Sequence, residues 1–211
     1  MIYFPISVFV RGKGNSLIPP FNLNGVLPPF VGGTPGAQMA WSSPYNCTAI
    51  ELVQRFFPHP ATGVDYYKDC SSFVLNCVKK GIVSGFQWLD GSFTEDVEAD
   101  GRQPNDIDVV TLAYRPESLA LNLQGWRDFV HEQGNGGIFF DRTRNREEFT
   151  CDTFFVDLNS VPYLVARQAA YWSGLFSHRR ETFQWKGMLA LPLHEDDTEA
   201  IVALGGVTEN E

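Results

Sequence analysis

The chain has 211 residues, 44% of them hydrophobic and 14% aromatic, which is enough to bury a core and short enough for one domain. A formal net charge of −9 excludes a broad basic surface for duplex DNA and leaves at most a local basic patch for a small anion or an RNA end. No run reaches the roughly 18 uninterrupted apolar residues of a membrane-spanning helix, and the start "MIYFPISVFVRGKGNS" has no basic segment ahead of its apolar run, so a soluble cytoplasmic protein is expected.

Residues 1–45 hold "SLIPPFNLNGVLPPFVGGTPGAQ", a Pro- and Gly-rich stretch interleaved with Phe, Leu and Val. An irregular arm wrapped over the domain surface follows from that mixture, because a solvated linker carries fewer apolar residues. The domain proper is expected over 46–193. Its first helix lies in "SSPYNCTAIELVQRFF", with Asn46 or Thr48 as cap, Ile50, Val53, Phe56 and Phe57 on one face, and Pro58 as the stop. In "DYYKDCSSFVLNCVKKG" a second helix places Tyr66, Cys70, Phe73, Val74, Cys77 and Val78 on one face. Asp65 at its start and Lys79, Lys80 and Gly81 at its end agree with the macrodipole.

"GFQWLD" and "NDIDVVTLAY" read as strands. A helix around "ESLALNLQGWRDFVHEQG" follows, then a Gly- and Arg-rich surface stretch "NGGIFFDRTRNREE", a strand "FTCDTFFVDL", a helix capped at Ser160 and a last strand "KGMLALPL". Residues 194–211 form an acidic tail that frays in part. The order predicts an α/β or α+β fold, a mixed sheet with helices packed on it. Cys47, Cys70, Cys77 and Cys151 make no CxxC pair, and buried free thiols are expected.

The chemistry concentrates around residues 91–108. Side chains alternate along a strand, so Asp106 and Asp108 share one face. Two neighbouring carboxylates repel unless a cation or a shifted pKa relieves them, and Mg²⁺ takes such hard oxygens together with substrate phosphates. Gly91 lets the backbone approach a phosphate closely, and Ser92 adds a hydroxyl and an N–H. The thirteen residues between Ser92 and Asp106 allow an antiparallel return that brings both ends to one sheet edge.

"LDGS", thirteen residues and then "DIDV" resemble the signature of the DNA polymerase beta-like nucleotidyltransferase superfamily. With "NGVLPPF", "CDTFFV" and "KGMLALPL" the chain, from about residue 24 to 193, resembles a family of small bacterial and phage-associated proteins built on a minimal nucleotidyltransferase domain. The resemblance implies a nucleotidyltransferase-like fold. Gly91 and Ser92 would hold a nucleoside triphosphate, and Asp106, Asp108 and a third carboxylate, Asp152, would bind two Mg²⁺ ions. It also implies transfer of a nucleoside monophosphate to an RNA, protein or small-molecule hydroxyl, and allows a toxin–antitoxin or phage-defence setting. Asp157 is the rival for the third position, but five residues beyond Asp152 it falls on the opposite strand face, so at most one of the two joins the site.

Lys186 is a further candidate for the triphosphate. Arg142, Arg144 and Arg146 are expected in a mixed-charge loop, and "TEDVEAD" as a solvated loop. His131 and His178 are expected at the surface, and Trp126, Phe129, Tyr171, Trp172 and Phe176 in the core. The competing expectation is a catalytically inactive member of the same fold that senses a nucleotide or binds a protein partner through the arm or the acidic tail.

Overall fold

The computed structural model describes residues 18–32, 41–56, 73, 77–97, 99, 101–102, 104, 106–131, 140–193 and 202. Five strands form one mixed sheet: β1 (Tyr45–Asn46), β2 (Gly85–Asp90), β3 (Ile107–Ala113), β4 (Cys151–Asp157) and β5 (Leu189–Pro192), in the order β1-β5-β2-β3-β4. β2 runs antiparallel to both β5 and β3, while β3 and β4 run parallel. The three strands expected to carry aspartates are therefore neighbours.

Alternation gives the sheet two apolar faces. Leu89, Ile107, Val109, Cys151, Leu189 and Leu191 join the larger cluster with the arm's Leu27 and with Leu52 and Val53 of α1 (Ala49–Phe56). On the other face Val110, Leu112 and Val156 pack with Phe176 and Met188. Helices α2 (Leu123–His131), α3 (Arg142–Phe149) and α4 (Pro162–Phe176) complete the described fold, an α+β domain.

The local reasons are specific. Thr48, not Asn46, starts α1: its hydroxyl accepts from the Glu51 N–H at 3.2 Å and its own N–H donates to Glu51 Oε2 at 2.9 Å, a reciprocal capping box. Phe57 and Pro58 of the first predicted helix, and residues 65–72 and 74–76 of the second, lie outside the described ones, and with them Asp65, Tyr66, Cys70 and Val74. Phe73 and Cys77 are buried as expected, but Val78 is 40% exposed. That helix ends at Gly81, whose φ of 79° suits only a residue without Cβ. Cys47, Cys77 and Cys151 are buried.

α2 is shorter than predicted because Asn122 interrupts it: the Asn122 side chain accepts from the Gly125 N–H at 2.9 Å, so the helix starts there and not at Glu117. α4 starts at Pro162, and Ser160 supplies no cap; the fixed φ of proline at the first helical position sets the boundary. Tyr171 leaves the expected core set at 62% exposure, whereas Trp126 and Phe176 are buried.

The described part of the arm is more than a surface wrap. Val26 and Leu27 are fully buried. The Gly187 N–H donates to Leu27 O at 2.7 Å and the Asp96 N–H to Gly25 O at 2.8 Å. These bonds clamp the segments that follow β2 and precede β5, and both segments carry the site.

Candidate functional site: a row of carboxylates between buried and exposed cations

Strand register sets the geometry. Asp90 of β2 lies opposite Asp108 of β3, and Asp108 lies opposite Asp152 of β4. Paired residues of neighbouring strands point to the same face, so three aspartates form a row across three strands, with Asp106 just ahead of β3. The neighbour of Asp90, Gly91, has φ 114° and ψ −169°, a conformation essentially confined to glycine. A Cβ there would stand 3.1 Å from Asp108 Oδ2 and 3.3 Å from Asp106 O, so the glycine also keeps the row open. Ser92 then opens a single 3₁₀ turn, Ser92–Thr94, and is partly exposed.

Two kinds of cation serve this row. Lys186, with a side chain 4% exposed, lies 3.0 Å from Asp90 Oδ1, donates to Glu95 Oε1 at 2.8 Å and reaches Gly91 O at 3.3 Å. Arg179 donates to Glu95 Oε2 at 2.7 Å, and the Thr94 hydroxyl donates to Asp90 Oδ1 at 3.1 Å. On the other side, Arg142 grips Asp152 with Nε to Oδ1 at 2.8 Å and Nη2 to Oδ2 at 2.7 Å. Arg146 donates through Nη2 to Asp152 Oδ2 at 2.6 Å and through Nε to Asp106 Oδ2 at 3.1 Å. These two arginines are 54% and 55% exposed, while Asp152 is 6% exposed.

Asp108 differs from its neighbours. Among the described residues no hydrogen bond or ion pair reaches its carboxylate. Burial, then repulsion from Asp106 and Asp152, pushes its pKa up to about 6 in spite of the more distant Arg180 and Lys186. Burial likewise pushes Asp90 up to about 7, with Asp108 adding to the effect and Lys186 opposing it. Burial also acts on Glu95, but Lys186 and Arg179 together outweigh it and hold that carboxyl below its ordinary value. Lys186 stays protonated: burial disfavours its charge, and Asp90 and Glu95 more than compensate.

Gly91, Asp106, Asp108, Asp152 and Lys186 thus meet around one end of the sheet, with Ser92 next to Gly91. Asp157 stands at the opposite end of β4, paired with Arg115 at 2.7 Å. Two expectations need correction. Thr94 and Glu95 of "TEDVEAD" face inward, because Lys186 and Arg179 need a counter-charge in a buried place. The arginine stretch is a helix, not a loop: Asp141 caps α3 by accepting from the Arg144 N–H at 3.0 Å, and Thr150 closes it in the left-handed region. Periodicity could not reveal α3, since only Asn145 and Phe149 are buried in it. Asp90, next to "GS" in the sequence, was the one missed member with a visible signal. As the side chains stand, no three His, Cys, Asp or Glu residues among the described ones converge as metal ligands. The oxygens of Asp152 and Oδ2 of Asp106 are instead hydrogen-bonded to Arg142 and Arg146.

A family model matches residues 19–192, from within the arm to the end of β5. The chain belongs to the DUF6932 family. DUF6932 is described as a family of unknown function, so membership carries no activity and no link to the nucleotidyltransferases. No curated protein and no solved structure matches the chain.

Proposed function

We propose that the protein is a Mg²⁺-dependent nucleotidyltransferase that moves a nucleoside monophosphate from a nucleoside triphosphate to a hydroxyl of an RNA, a protein or a small molecule. The supporting observation is Asp108: a carboxylate in register between two others, beside a glycine with positive φ, and without an ion pair among the described residues. The donor set fits the metal, since Asp106, Asp108 and Asp152 offer only hard carboxylate oxygens, and burial, then the like charges of Asp106 and Asp152, disfavours the charged form of Asp108. Those three residues would hold the ions, and Gly91 and Ser92 the triphosphate. When bound, the ions neutralise charge that develops on the transferred phosphoryl group. Asp90 and Glu95 act through Lys186, which ties Gly91 to the sheet and keeps the Gly-Ser turn in place.

The competing reading, an inactive fold that senses a nucleotide or binds a partner, draws support from the arginines on Asp152. Thermal melting with ATP, GTP, CTP or UTP, with and without Mg²⁺, separates nucleotide binding from its absence. The catalytic reading requires metal-dependent stabilisation that Asp106→Ala and Asp108→Ala abolish. Incubation with α-labelled nucleotides and cell lysate, followed by RNase or protease digestion, then identifies the acceptor. Nucleotide binding without label transfer to any acceptor would favour the sensor.

A further inference from the structure

Cations around the carboxylate row divide by exposure. Lys186 and Arg179 are locked beneath the Gly-Ser turn, with side chains 4% and 21% exposed. Arg142 and Arg146 project from a surface helix onto a buried carboxylate. Their contacts take both oxygens of Asp152 and three of its roughly four lone-pair positions. A divalent cation on Asp152 and Asp106 and these two guanidinium groups are therefore rivals for the same oxygens, and like charges repel at such distances. The mobile partners of each pair are the long, half-exposed arginines, because Asp152 is held in a strand. Arg142 also has its guanidinium 4.4 Å from the Phe154 ring centroid, a support on which it can pivot.

We propose that Arg142 and Arg146 form a displaceable ionic latch: they neutralise Asp152 and Asp106, yield those carboxylates to a divalent cation, and then receive the triphosphate. The second half rests on the nucleotidyltransferase reading, whereas the first requires only the pairs. A guanidinium fork suits this exchange because it matches carboxylate and phosphate equally well. The same division sets Lys186 apart as a buried counter-ion of Asp90 and Glu95 beneath Gly91. Arg144, on the same helix, pairs with Glu148 at 2.9 Å and not with the row, so it is an internal control of equal charge.

The test uses the full chain as wild type, Arg142→Gln/Arg146→Gln and Arg144→Gln, each checked for fold by circular dichroism. Mn²⁺ binding is read from the electron paramagnetic resonance signal of the free ion, and Mg²⁺–tripolyphosphate binding by calorimetry. The double variant is expected to bind Mn²⁺ about tenfold more tightly and Mg²⁺–tripolyphosphate about tenfold more weakly, with Arg144→Gln matching wild type. Mn²⁺ affinity that is unchanged or lower in the double variant overturns the latch, as does an equal gain in Arg144→Gln. Tighter Mn²⁺ binding without tripolyphosphate binding by any of the proteins keeps the latch and removes the nucleotidyltransferase reading. Should the double variant not fold, Arg142→Gln and Arg146→Gln singly carry the same test, each expected at about threefold.

Discussion

Asp108→Asn is expected to stabilise the protein, and only where Asp108 is ionised. Asparagine keeps the shape and removes the charge that faces Asp106 and Asp152. Raising the folded-state pKa from 3.8 to about 6 corresponds to about 3 kcal/mol of native stability. The sign follows from the direction of the shift: the folded state holds this proton more firmly than the unfolded chain. The contribution is full below about pH 4 and is lost as pH rises through about 6. Wild type and variant should therefore be nearly equal near pH 4 and diverge by about 3 kcal/mol near pH 8, or roughly 6–12 °C in Tm for a chain of this length. Urea denaturation at both pH values measures the difference, and because Asp90 is present in both proteins its own titration largely cancels. Adding Mg²⁺ near pH 8 should raise the stability of wild type and not of the variant. A variant that is less stable than wild type near pH 8, or a difference independent of pH, would show that the row is not under electrostatic strain.

Three other substitutions probe the surroundings. Gly91→Ala should cost about 1–3 kcal/mol by forcing φ 114° on a residue with a Cβ, while Gly101→Ala, at φ 70° with open space, should cost about 1 kcal/mol by urea denaturation. Equal losses would mean that contact with Asp108 is unimportant. Lys186→Met leaves Asp90 and Glu95 buried without their shared cation and should cost about 3–5 kcal/mol; adding Asp90→Asn should recover part of it, and no recovery would place the loss in packing. Tyr45, which donates to Pro28 O at 2.8 Å, has its phenol pushed up to about 12 by burial. Its contribution is full below about pH 10 and is lost as pH rises through about 12. Tyr45→Phe should be about 1 kcal/mol less stable at neutral pH yet lose less on alkaline titration, and parallel curves would refute the assignment.

Strands β2, β3 and β4 were legible because short apolar runs bounded by Gly, Asn and Asp carry a period-two signal. The common face of Asp106 and Asp108 followed from the same period. What the sequence could not convey is register: that Asp90, Asp108 and Asp152 fall opposite one another depends on pairings between residues up to 44 positions apart, and a one-residue slip would send Asp152 to the other face. α3 was illegible for a different reason. Its core contribution is two residues, so helical periodicity is nearly absent, and its start is set by a single Asp141 side chain. The buried side of "TEDVEAD" was hidden because high charge density normally marks solvated chain, and its partner Lys186 lies 91 positions away from Glu95.

The distribution of charge bears on why such a row exists. A sheet end needs no aspartates, and three in register oppose folding unless each is compensated. Here Asp90 shares a buried lysine with Glu95, Arg146 bridges Asp152 and Asp106 while Arg142 holds Asp152, yet among the described residues no ion pair reaches Asp108 at the centre. A purely structural row would be expected to use its cations evenly. A central carboxylate without an ion pair, with a buried cation on one side and exposed ones on the other, suits the entry of a further positive charge that the proposed function calls for. Asparagine at 108 would relieve the strain at no cost in volume, so an aspartate at that position fits a binding role better than a stability role.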